Sequence, residues 1–123
     1  MKKILIVEDE ETILELLSEI FSDLGDYRIL YARDGEEALR LVRGNNPDII
    51  LLDIHIPRIN GYEVCKSVKS DPAMSRTKVL MLSGMVQDSD RRKAQEVGVD
   101  AFITKPFDLI ALVEKVEELL RSN

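Results

Sequence analysis

At 123 residues the chain has the length of one ordinary domain. A chain near 150 residues buries roughly two-thirds of its unfolded surface, so a core forms without staples. A hydrophobic fraction of 45% arranged in periodic blocks argues against disorder, a net charge of −6 disfavours nucleic acid as the primary partner, and one cysteine, Cys65, cannot form an internal disulfide. The amino-terminal "MKKILIVEDE" carries an apolar run of four residues, too short for a signal peptide or a membrane span. The expectation is a soluble, cytoplasmic protein.

The segments alternate in kind. "KILIV" (3–7) is a short apolar run bounded by charge and predicts a buried strand. From Thr12 to Leu24 the apolar residues fall on one helical face, and Gly25 stops the helix. "YRILYA" (27–32) predicts a second strand, followed by Asp34-Gly35 and a helix with Ala38, Leu39, Leu41 and Val42 inward. "PDIILLD" (47–53) is apolar on both faces, as a central parallel strand must be. A helix over about 62–70 ends near Asp71-Pro72. "KVLMLSG" (78–84) is the fourth strand and about 88–97 the fourth helix. "AFIT" (101–104) is the fifth strand, and Asp108 caps a last helix with Leu109, Leu112, Val113, Val116 and Leu119 inward. Five such alternations mean βαβ units and a parallel sheet with right-handed crossovers. No repeat, low-complexity tract or linker interrupts them, which predicts a single domain over 1–123 with no second domain in this chain.

The predicted strand ends gather the chemistry. The first ends in Glu8 and Asp9, the third in Asp53 and the fourth in Ser83, while the fifth leads to Lys105. Ligands of open α/β sheets bind outside the carboxyl ends of the strands. Three carboxylates meeting there repel one another, by on the order of 4 kcal/mol per pair at about 4 Å and an effective dielectric near 20. A hard divalent cation with oxygen ligands is the natural compensation. A metal, a carboxylate oxygen, a hydroxyl and an ammonium in one place suit a phosphoryl group. Asp53 would then be the nucleophile, and Lys105 and Ser83 would bind the phosphoryl oxygens.

The set resembles the receiver domain of two-component response regulators over essentially the whole chain. The matching pieces are the acidic pair Glu8-Asp9, the D-x-x-x-P-x-x-x-G stretch Asp53…Pro57…Gly61, the "LSG" with Ser83, and "FITKPF" with Phe102, Lys105 and Pro106. Each piece alone is weak; in this order, at these strand ends, they are specific. The resemblance implies a flavodoxin-like (βα)5 three-layer sandwich with a five-stranded parallel sheet of order 2-1-3-4-5. It further implies that Asp53 is the phosphoacceptor for a histidine kinase or phosphotransfer protein. Glu8, Asp9 and Asp53, with the backbone carbonyl of His55, would hold magnesium or manganese, Glu8 through water. Ser83 and Lys105 would bind the phosphate, and Phe102 would turn inward when Ser83 moves toward that phosphate. The Lys105–Pro106 bond would be cis, an isomer found in about 5–6% of X–Pro bonds.

Some of these residues have plainer readings. Glu8-Asp9 alone resembles an acidic helix entry, Phe102 packs a core equally well, and Cys65 reads as an ordinary helix residue. The His55 ring is expected to be partly exposed and placed to tune dephosphorylation. The fourth helix has a thin apolar stripe, chiefly Ala94 and Val97, which suits a movable surface. The fourth helix, fifth strand and fifth helix are therefore expected to form the face that controls a downstream protein or output domain.

Two departures qualify the likeness. Glu8 stands where many receivers have Asp. Ala101, Glu117 and Glu118 differ from the pattern of receivers joined to winged-helix DNA-binding domains, and the "SDPAMSRTK" loop (70–78) looks more like receivers found alone or in hybrid kinases. Rival readings fit less well. An aspartate-dependent phosphatase would place D-x-D on the first strand and needs a cap, and a flavin carrier needs a hydroxyl-rich phosphate loop after that strand. A binding module that is never phosphorylated would not need every acceptor-site residue.

Overall fold

The computed structural model describes residues 1–84 and 87–121. Among them five strands alternate with five helices: β1 (Lys2–Val7), α1 (Glu11–Leu24), β2 (Tyr27–Ala32), α2 (Gly35–Asn45), β3 (Ile49–Asp53), α3 (Gly61–Ser70), β4 (Lys78–Ser83), α4 (Asp88–Val97), β5 (Ala101–Thr104) and α5 (Leu109–Arg121). The strands form one parallel sheet of order β2-β1-β3-β4-β5. All five residues of β3 are buried, because helices cover both faces of the sheet.

Strand alternation divides the core in two. Ile4, Ile6, Ile49, Leu51, Leu80 and Leu82 point to one face and meet Leu14, Leu17 and Phe21 of α1 and Leu112, Val116 and Leu119 of α5. Leu5, Val7, Ile50, Leu52, Val79 and Met81 point to the other and meet α2, α3 and Ala94 of α4. The result is the expected flavodoxin-like three-layer sandwich. No helix among the described residues is long and apolar enough to cross a membrane.

Element limits differ from the sequence reading by one or two residues. β3 begins at Ile49 rather than 47, although Asp48 already donates to the Lys3 carbonyl (2.9 Å) and accepts from the Lys78 N–H (3.1 Å). α3 begins at Gly61 because the Asn60 side chain accepts from the Glu63 N–H at 3.1 Å. Asp34 caps α2 through the Glu37 N–H (2.8 Å), and Asp108 accepts from the Ile110 N–H (2.9 Å) at the start of α5. Leu41, Leu109 and Val113 are half-buried rather than fully inward.

The loop from β3 to α3 is folded back tightly. Gly61 donates its N–H to the Ile54 carbonyl at 2.9 Å, and the Pro57 carbonyl accepts from Gly35 at 3.2 Å. A Cβ at Gly61 would lie 2.6 Å from the Asp53 carbonyl oxygen and 2.8 Å from the Ile54 Cα, closer than real contacts allow. Glycine is required there by backbone proximity. Gly61→Ala should lower stability in urea melts by about 1–3 kcal/mol, the cost of overpacking. Gly44→Ala on α2, with nothing within 4 Å of its added methyl, should be neutral or stabilising by up to about 1 kcal/mol.

Candidate active site at the carboxyl edge of the sheet

Parallel register brings the strand ends to one edge. Val7 pairs with Leu52, Asp53 with Leu82, and Ser83 with Thr104, so Glu8, Asp53, Ser83 and Lys105 emerge side by side. Glu8 is 1% exposed, Asp53 6% and Ser83 0%, while Asp9 is exposed at the rim. The Lys105 ammonium donates to Glu8 Oε2 at 2.9 Å and to Asp53 Oδ2 at 3.1 Å, bridging the two buried acids. Its backbone N–H donates to the Ser83 carbonyl at 2.7 Å, and the Lys105–Pro106 peptide is cis.

The remaining carboxylate oxygens meet backbone amides. Asp53 Oδ1 accepts from the His55 N–H at 3.2 Å, and Glu8 Oε1 from the Glu10 N–H at 3.2 Å. The His55 side chain is exposed, as expected. Glu8, Asp9 and Asp53 each offer a carboxylate oxygen, all within 4.8 Å of one another.

The charge balance of this cluster is incomplete. Burial pushes the Glu8 carboxyl up to about 7, the Asp53 charge adds to the rise, and the contacts with Lys105 offset them in part. At Lys105, burial opposes the charge, but the hydrogen bond to Glu8 and the charges of Asp53 and Glu8 outweigh it and raise the ammonium. One ammonium therefore does not neutralise the acids it joins. The residues fit a hard divalent cation, which prefers oxygen ligands and would supply the missing charge.

Phe102 is half-buried against the α2–α3–α4 side of the core, with the Arg91 guanidinium 5.6 Å from its ring centroid. Cys65 is buried, its thiol donating to the Val97 carbonyl at 3.4 Å and pushed up to about 12 by burial.

Two features escaped the sequence reading. Tyr62 donates to Asp90 Oδ1 at 3.1 Å, while Asp90 Oδ2 accepts the Gln87 N–H at 2.9 Å in a capping box that opens α4. Gln87-x-x-Asp90 departs from the usual Ser/Thr-x-x-Glu/Gln box, so no clear signal marks it in the sequence. Arg58, in the loop after Asp53, has φ 72 and lies 3.6 Å from Asp34 and 3.8 Å from Glu36. Nothing in the residue type announces that backbone.

Residues 4–117 match the response regulator receiver domain model. The alkaline phosphatase synthesis transcriptional regulatory protein PhoP of Bacillus subtilis is 38% identical over 122 residues, 99% of this chain and 50% of its own length. The signal receiver domain of a signal transduction histidine kinase from Syntrophus aciditrophicus superposes with a TM-score of 0.90 at 33% identity, covering 100% of this chain and 96% of that one. The receiver domain of a Pseudomonas aeruginosa sensor histidine kinase, with a magnesium ion coordinated in its active site cleft, gives 0.90 at 25% identity and covers 98% of both chains. This chain belongs to the response regulator receiver domain family, the signalling switch of two-component systems. It spans about half the length of the curated relatives it matches first.

The raised Glu8 carboxyl gives a pH dependence of definite sign. An acid whose folded value lies above its unfolded one binds more protons when folded, so its contribution to stability falls as pH rises from 4.5 to about 7. Glu8→Gln removes that contribution. In chelator, the stability of the wild type relative to Glu8→Gln should fall by on the order of 3 kcal/mol between pH 4.5 and 7.5. Saturating magnesium should abolish the fall, measured by urea melts at each pH.

Proposed function

We propose that the chain is a phosphorylation-dependent switch whose acceptor is Asp53. The observation that carries this reading is the Lys105 ammonium shared between the buried carboxylates of Glu8 and Asp53, beside buried Ser83. A carboxylate oxygen of Asp53 attacks the phosphorus of a phosphohistidine on a histidine kinase or phosphotransfer protein. The P–N bond breaks, and the departing imidazole keeps the electron pair and takes up a proton. Lys105 and the Ser83 hydroxyl stabilise the charge on the transferring phosphoryl oxygens. Water attack at the same phosphorus, with cleavage of the bond to Asp53, resets the switch.

Glu8, Asp9 and Asp53, with the His55 carbonyl, would hold magnesium or manganese. When bound, that ion neutralises phosphoryl oxygens and draws the nucleophile and donor together. The magnesium in the Pseudomonas aeruginosa receiver supports this assignment. The chain would catalyse its own phosphorylation and dephosphorylation and act in the cytoplasm beside its kinase.

The readout runs through α4, β5 and α5. Phosphate draws Ser83 and Lys105 toward Asp53, which favours an inward Phe102 and a displaced α4. Support comes from the anchoring of α4. Ala94 is its one fully buried residue and Val97 is half-buried on the core; Tyr62–Asp90, Cys65–Val97, Arg91–Phe102 and Lys93–Tyr62 contacts also hold the helix. Such contacts exchange more readily than a packed apolar face. The partner controlled is a protein or output domain.

Intact-mass measurement with magnesium and a small-molecule phosphodonor should show one added phosphoryl group on the wild type and none on Asp53→Asn. Lys105→Met should slow the gain by about 10²-fold. No gain on the folded wild type would leave a binding module with a metal site. Amide shift changes on phosphorylation should concentrate at the Asp53 site and in α4, β5 and α5; changes centred on α1 and α2 would reject the proposed output face.

A further inference from the structure

Bases gather at the edge of the sheet opposite the acids. A cleft of about 650 Å³ opens where β1 and β4 begin, lined by Lys2, Lys69, Arg76, Lys78, Asp48 and Asp100. Leu119 and Leu120 of α5 line it as well. A second hollow of about 310 Å³ borders it, sharing Asp48 and Arg76. Four cations face two carboxylates here, in a chain of net charge −6.

Each of the two carboxylates accepts a strand N–H. Asp48 Oδ2 accepts from the Lys3 N–H at 2.8 Å. Asp100 Oδ2 accepts from the Val79 N–H at 2.7 Å and pairs with Lys69 at 2.8 Å. Lys69 also donates to the Thr77 carbonyl at 2.8 Å. Both acids thus complete strand starts. Among the described residues no ion pair joins Lys2, Arg76 or Lys78 to a carboxylate. Lys2 and Arg76 are exposed, and Lys78 is half-buried.

We propose that this cleft binds a small oligophosphate. Its volume lies within the roughly 300–1,000 Å³ of ligand pockets. Four cations against two carboxylates leave the lining with a net charge of about +2, which calls for an anion carrying more than one negative charge. The Arg76 guanidinium can grip two phosphate oxygens at once, while Lys2 and Lys78 act as point charges. An inorganic phosphate chain and the phosphates of a nucleotide share this chemistry, and the leucines offer a nucleoside an apolar wall. The cleft and the Asp53 site are separate: β4 runs from Lys78 to Ser83, about 17 Å at roughly 3.3 Å per residue.

The test is titration by calorimetry and amide shift mapping at low salt without divalent cations, using sodium tripolyphosphate and ATP as probes. Shifts should centre on residues 2, 69, 76–78 and 119–120. Arg76→Glu/Lys78→Glu should weaken binding at least tenfold while keeping phosphorylation at Asp53, and Asp53→Asn should bind as the wild type does. If the double variant does not fold, Lys78→Gln should still weaken binding several-fold. Tighter binding of ATP would identify a nucleotide site, and equal binding a site for the phosphate chain itself. No shifts with either probe at millimolar concentration, shifts centred on the carboxyl edge, or equal binding by the folded variant would overturn the proposal.

Discussion

The active edge depends on one ammonium shared by two buried carboxylates. Lys105 lies 2.9 Å from Glu8 and 3.1 Å from Asp53, at the meeting point of strands that are neighbours in space and far apart in sequence. Burying a carboxylate without full compensation is costly, and Glu8 expresses that cost as a carboxyl displaced to about 7. The sheet holds the acids in this state because their backbones end strands whose other residues lie in the core. A site left short of positive charge responds to any species that changes its charge, whether cation or phosphoryl group.

The helices are unequally anchored to the sheet. α1 and α5 each place three fully buried residues on the sheet, whereas α4 places one. α4 is held by the Tyr62 hydroxyl on Asp90, by the Cys65 thiol on the Val97 carbonyl, and by Arg91 over Phe102. Asp90 both accepts from Tyr62 and closes the helix N-terminus through Gln87, so the cap of α4 and its tie to α3 reside in one side chain. A rearrangement of α4 therefore breaks a few directional contacts and little apolar packing.

The fold was legible because its determinants are periodic. β3 reads as continuous apolar sequence since both faces are covered, and α1 reads as a helix since one face is. The candidate site residues were legible as strand-end residues, and register alone brings Glu8, Asp53 and Lys105 together. The bond from Lys105 to Glu8, rather than to Asp53 alone, was not legible, because it depends on side-chain reach across 97 residues of sequence. Tyr62–Asp90 was hidden for the same reason, its partners lying on different helices. Arg58 at φ 72 lies in the tightly folded loop between β3 and α3, a backbone with no local code.

Net charge was the least transferable of the sequence arguments. A value of −6 is an average that conceals four bases around a cleft at the amino edge as well as three acids at the carboxyl edge. Asp48 and Asp100 accept from strand N–H groups at the amino edge and keep their charge, yet four cations around them outnumber the two. Glu8 and Asp53 face a single lysine at the other edge. The charge argument against nucleic acid also reaches no further than these 123 residues, since relatives such as PhoP are transcriptional regulators twice as long. Locally, an anion meets a surplus of bases in the cleft at the amino end of the strands. At the other end it meets repulsion until a cation reverses the sign.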